Sequence, residues 1–211
     1  MIGTLWAETP YLAGGFQGNL LISALSMGLG TALGGVLGCL RMGFGGVVRG
    51  AASALTSLCR NVPSFVLLFY MAFMTPGEIV LSGETVQVPV WIKAVLALTF
   101  PVIGFASDQT LAYFTQYRAR LDGAGETFVV AWVQYLLIII MASATASVIG
   151  ADEIVGRANT VIARSDDARF LLLTYGYVSV WFLGTGLVVS AVLRAGLWMR
   201  ARALPRTEIL R

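Results

Sequence analysis

An all-α, polytopic membrane protein with five transmembrane helices is what this sequence predicts, on three observations. Of its 211 residues, 57% are hydrophobic and 12% charged, about half the roughly 25% charge of a soluble domain. Mean hydropathy is +0.81. Uncharged apolar runs recur at lengths close to the ~20 residues that cross a ~30 Å bilayer core as a helix. Disorder is excluded, because it needs low hydrophobicity and high charge.

The spans follow in order. The first, about 20–40, runs from Leu20 to Leu40 without a charge. Met1 to Asn19 holds Glu8 but no Lys or Arg, so it does not read as a cleavable signal. The second, 62–74, follows an amphipathic helix over 51–60, and Pro63 at the junction predicts a kink or a helix start. The third, 88–107, carries Lys93 near one end, within snorkelling reach of the interface. The fourth, 127–151, and the fifth, 170–193, complete the set as one transmembrane domain over 1–211. Between them, 75–87 reads as a short exterior loop with Pro and Gly turn signals. The exterior segment 150–169 reads as carrying a short helix across IVGRANTVIAR.

Basic residues set the orientation, because cytoplasmic loops are enriched in Lys and Arg. With the N-terminus outside, Arg41, Arg49, Arg60, Arg118, Arg120, Arg194, Arg200, Arg202, Arg206 and Arg211 face inward. Only Lys93, Arg157, Arg164 and Arg169 face outward, while the acids Glu8, Glu78, Glu84, Asp152, Glu153, Asp166 and Asp167 lie outside. The expectation is N-out, C-in.

Residue types exclude much chemistry. There is no His, which removes histidine-ligated haem or metal and Ser-His-Asp catalysis. Cys39 and Cys59 are too few for a disulfide framework or a metal cage. Lys93 is the single lysine and no G-x-x-x-x-G-K-[ST] loop occurs, so no phosphate loop holds ATP here. No basic run points to nucleic acid. Catalytic residues, metal ligands and cofactors are therefore not expected in this chain.

Polar and small residues within the spans are the functional candidates. Gly30, Gly34 and Gly38 share one helix face, where small side chains let helix backbones approach in lipid; glycine is also simply common in membrane helices. Gln134 lies mid-span and either meets a polar solute or bonds a neighbouring helix. Ser143, Thr145 and Ser147 recur near the outer end of the same span. Asp108 falls where the third span is expected to end, as a solvated or capping carboxylate rather than an intramembrane one. Arg60 and Asn61 before Pro63 either line a pathway or anchor the helix end.

In order, these segments resemble the integral-membrane permease of the bacterial polar-amino-acid ABC importer family. YLAGGFQGNLLISALSMGLGTALGGVLGCLRM is similar to that family's opening span. LTSLCRNVPSFVLLFYMAF resembles its Arg-Gly-Thr-Pro motif, with Arg60, Asn61, Val62 and Pro63 in those places and Asn61 departing from Gly. ASATASVIGADEIVGRANTVIARS resembles the family's fourth-span ending and the exterior segment after it.

The resemblance implies import of a polar small solute, an amino acid by family, by alternating access in a bacterial inner membrane. It implies a second permease subunit, ATPase subunits carrying ATP and Mg, and an exterior solute-binding protein. The binding protein's contact candidates are Arg157, Asp166, Asp167 and Arg169. The family's cytoplasmic Glu-Ala-Ala coupling loop is missing: YFTQYRARLDGAGETF leads straight into the fourth span, leaving Arg118, Arg120 and Asp122 as a degenerate loop. Two loop-less copies would leave an ATPase undocked, so the partner permease is expected to be a different chain. The alternative is a permease-fold subunit with a scaffolding or sensing role.

Overall fold

The computed structural model describes residues 2–43, 45–81, 83–165 and 167–203. Its helices in chain order are α1 (Ile2–Gly43), α2 (Gly46–Asn61), α3 (Ser64–Met74), α4 (Val90–Arg118), α5 (Ala124–Ser143), α6 (Ile154–Ile162) and α7 (Ala168–Ala203). A 3-10 turn, Ala144–Ile149, continues α5. Among the described residues, four helices are long and apolar enough to cross a membrane, or five if the bent pair α2–α3 counts as one crossing.

The centre of the bundle is α1 against α4. Gly30, Gly34 and Gly38 make that pairing close. A Cβ added at Gly34 would stand 2.5 Å from the carbonyl oxygen of Ile103 and 2.6 Å from Cβ of Ala106. One at Gly38 would stand 2.8 Å from the carbonyl of Ser107, and one at Gly30 would collide with Val102. Met27, Val102 and Ile139 are buried where α5 joins them. Ile22, Leu68, Leu98 and Ala146 form the core where α3 and the 3-10 turn pack. Leu12, Phe16, Ile154 and Phe170 fill a second core at the other end, between α1, α6 and α7.

Several boundaries differ from the expected ones, each for a physical reason. The first helix begins at Ile2, not near residue 20. Gly14, Gly15 and Gly18 look like turn residues, yet they are the flat side of α1 on which α6 sits, with Asp152 and Ile154 backbone against them. The loop 75–87 contains an antiparallel hairpin, β1 (Glu78–Leu81) with β2 (Glu84–Gln87), in which Ile79 faces Val86. Apart from that short hairpin the regular elements among the described residues are helical, as the all-α reading expects. The second span is broken: α2 and α3 meet at 92°, and α3 begins directly after Pro63. The third helix continues to Arg118 rather than ending at 107, so Asp108 lies well inside it. The last helix is longer than 170–193 at both ends and carries Arg194, Arg200 and Arg202. Arg206 and Arg211 fall outside the described residues.

Candidate functional site

Polar side chains gather at two levels of the bundle. At one end, α1, α2 and α4 meet on Asp108. Arg41 donates to its Oδ1 at 2.7 Å and Arg60 to its Oδ2 at 3.0 Å. Arg41 also donates to the Ser107 hydroxyl, and Thr56 and Ser107 share a 2.8 Å hydrogen bond. Asp108 is therefore neither a cap nor a merely solvated carboxylate; it holds three helices together. The sequence reading missed this because it placed the helix end there. Of its partners, Arg41 is largely buried and Arg60 largely exposed, with Asn61 and Pro63 exposed beside it.

At the other end, Asn19 of α1 is fully buried and uses both ends of its amide. Its Nδ2 donates to Ser143 Oγ at 2.9 Å and to Glu153 Oε2 at 3.0 Å. Its Oδ1 accepts from Ile154 N at 3.0 Å. Glu153, also fully buried, accepts from Val155 N at 3.0 Å and Gly156 N at 2.6 Å, so it caps α6. Burial pushes the Glu153 carboxyl above its ordinary range, outweighing the donors that pull it down. Neither residue was singled out from the sequence. The available signals were an amide inside an apolar helix and an acid immediately before a short helix.

Along α5 the expected polar set divides. Trp132 donates to Thr31 and Tyr135 to the carbonyl of Pro101, so that side faces the bundle. Gln134 points the other way and is exposed. Ser143 belongs to the buried Asn19 cluster. Thr145 and Ser147 return their hydroxyls to the carbonyls of Ala142 and Ala144, as such side chains do within helices. The four do not share one polar face.

The exterior candidates divide too. Arg157 is engaged within the chain: it grips Asp152 through two 2.7 Å bonds, donates to the Tyr11 carbonyl, and lies over the Tyr11 ring. That pairing holds the Asp152 carboxyl below its usual range. Asp167 accepts from the Arg169 backbone N at 2.8 Å, while the Arg169 side chain stands exposed. Asp166 lies outside the described residues. Lys93 does not snorkel: it is buried, and its Nζ donates to the carbonyls of Ala72 and Thr75 at the end of α3.

The connection between α4 and α5 is the five-residue stretch 119–123, with Arg118 at its edge and no helix inside it. Arg120 at φ +55° and Gly123 at φ +81° make it a tight turn. Arg118, Arg120 and Asp122 are exposed.

No protein-family model matches the chain, and no curated protein is similar to it in sequence. Solved structures are similar in fold. A chain of an amino acid ABC transporter crystallised with histidines superposes with a TM-score of 0.70 at 15% identity, over 90% of this chain and 96% of that one. A chain of the MetNI methionine ABC transporter, in inward-facing conformations, superposes with a TM-score of 0.61 at 15% identity, over 87% and 95%. The bundle of α1 to α7 is an ABC permease-type fold.

Proposed function

We propose that this chain is a membrane-spanning permease subunit of an ABC importer for a polar small solute of the amino-acid class. It forms half of a pathway with a second, different permease chain, in a bacterial inner membrane. ATP and Mg are used by partner ATPase subunits, so the chain itself is not an enzyme, and an exterior binding protein delivers the solute. Beyond the fold, one observation carries the reading. Gln134 stands about 15 Å along α5 from its start, near the middle of a ~30 Å core, and faces away from its own bundle. An amide left unpaired in hydrocarbon costs several kcal/mol. That face of α5 is therefore turned to a polar pathway or a second subunit rather than to lipid.

Gln134→Leu, in the assembled complex in proteoliposomes, is expected to lower ATP-driven uptake of labelled amino acids at least tenfold with assembly intact. Unchanged uptake would overturn the pathway role. The orientation has its own test. Val80 is exposed in β1; as Val80→Cys in a cysteine-free chain it is expected to react with an impermeant maleimide from the exterior only. Labelling from the cytoplasm alone would reverse the topology.

A second reading rests on the helix-free 119–123 turn: a non-transporting subunit with a permease fold that scaffolds a complex or senses a loaded binding protein. Deleting the chain separates the two. Loss of uptake with the remaining subunits assembled supports transport, and retained uptake supports the scaffold.

A further inference from the structure

The bent pair α2–α3 has a definite placement relative to α4. Arg60, in the last turn of α2 and four residues before the start of α3, lies with its backbone against Gly104, where a Cβ would meet Arg60 N at 2.8 Å. The far end of α3 is held by Lys93 through the carbonyls of Ala72 and Thr75. Lys93 and Gly104 are about 16 Å apart along α4, and the 11 residues of α3 span about the same length. α3 therefore runs antiparallel beside α4. Since α2 meets α3 at 92°, α2 lies across the α4 axis.

Its depth follows from markers on α4. Trp91, exposed in the first turn, is of the type enriched at membrane boundaries. Gly104 to Asp108 stand about 20–26 Å further along, close to the opposite edge of a ~30 Å core. The cations Arg41 and Arg60 gather at that level on Asp108.

The sequence of α2 fits a helix lying in that boundary. Ala52, Thr56 and Cys59 are buried and face α1 and α4. On one side of this seam, Val47, Leu55 and Leu58 are exposed, at 88%, 48% and 56%. On the other side stand Arg49, Ser53, Ser57 and Arg60. At 3.6 residues per turn these are three separate stripes, with the apolar and the polar one on opposite sides of the helix. The 16-residue helix carries two arginines and no acid.

We propose that α2 is an interfacial helix that binds anionic phospholipid at the face of the membrane where Arg41 and Arg60 lie. Val47, Leu55 and Leu58 enter the acyl region, and Arg49, with the exposed part of Arg60, meets headgroup phosphates. A basic polar stripe opposite an apolar one is the pattern of helices that lie in a membrane surface. The contact is independent of the transport reading, because it needs neither solute nor ATPase.

The test places single nitroxide labels at positions 47, 53, 55, 57 and 58 of the full chain, with Cys39 and Cys59 replaced by serine and alanine. The chain is reconstituted in phosphatidylcholine vesicles containing phosphatidylglycerol. Labels at 47, 55 and 58 are expected to meet dissolved oxygen, and those at 53 and 57 a soluble nickel chelate, with depth alternating at the helical period. A steady gradient of depth from 47 to 58 would mean a crossing segment and overturn the proposal. Labels at 55 and 58 hidden from both reagents would mean a protein partner and overturn it equally. Arg49→Gln is expected to weaken the preference for spin-labelled phosphatidylglycerol over phosphatidylcholine about fivefold, the equivalent of ~1 kcal/mol for one guanidinium at a charged surface. An unchanged preference would remove the headgroup contact.

Discussion

Gly34→Leu is expected to separate α1 from α4 and to destabilise the detergent-purified chain by about 3 kcal/mol or more. Even a Cβ at this position reaches the carbonyl oxygen of Ile103 and the Cβ of Ala106 at 2.5 and 2.6 Å, with Ser107 N at 3.0 Å. Two of those atoms belong to backbone, which has no rotamer to yield. The helices must part, and parting loosens the burial of Met27 and Val102 at the same interface. In a chain of this size the change corresponds to a loss of about 6–12 °C in unfolding midpoint, at ~2–4 °C per kcal/mol. Gly28→Leu is the control: it lies on the same helix with nothing within 4 Å of its Cβ position. A similar loss from both substitutions would show that helix backbone preference, not contact with α4, governs the Gly34 result.

Glu153→Ala is expected to have an effect of similar size at the other end of the bundle. It strips a cap from α6 and leaves the half-buried Val155 N and Gly156 N and the fully buried Asn19 Nδ2 each short of an acceptor. A lost cap costs about 1 kcal/mol, and each buried donor left unsatisfied about 1–3 kcal/mol. The expected total is about 3 kcal/mol, read as a lowered unfolding midpoint and earlier proteolysis near α6.

The same residue gives a pH signature. Burial raises its carboxyl above the ordinary value, so the folded chain holds that proton more tightly than the unfolded one. The associated stability is fully present below the ordinary carboxylate range and is lost as pH rises through the folded value. Glu153→Gln is expected to flatten this part of the curve of midpoint against pH. A slope identical to that of the unsubstituted chain would assign the titration elsewhere.

Much of the helical plan was legible because a long uncharged apolar run leaves a chain in lipid few choices besides a helix. What was not legible has common causes. Gly14, Gly15 and Gly18 carry the same signal whether they make a turn or a flat packing face, and only the position of α6 decides between them. The short segments EIVL and ETVQ, rich in β-branched residues, flank Ser82-Gly83 in the sequence as the two arms of a hairpin would, but a membrane reading of the segment gave weight only to its turn residues. The polar candidates were chosen by position in a span, which identifies a costly side chain without saying which way it faces. Gln134 turned outward and Ser143 inward for that reason. Asn19 and Glu153 meet across 134 residues of chain, a distance over which local pattern carries no information. Arg41 was counted only as a topogenic charge, although its guanidinium is one of the grips on Asp108.

The unbroken course of α1 has a mechanical consequence. Asn19 and Arg41 sit on one continuous stretch of helix with no proline between them, about 33 Å apart along its axis. Gly30, which presses against Val102, stands midway. The helix is thus a rod with a fulcrum at its centre and a knot of hydrogen bonds at each end. If it tilts about Gly30, the two ends swing in opposite directions by nearly equal amounts, so the grip on Glu153 and the grip on Asp108 are strained together.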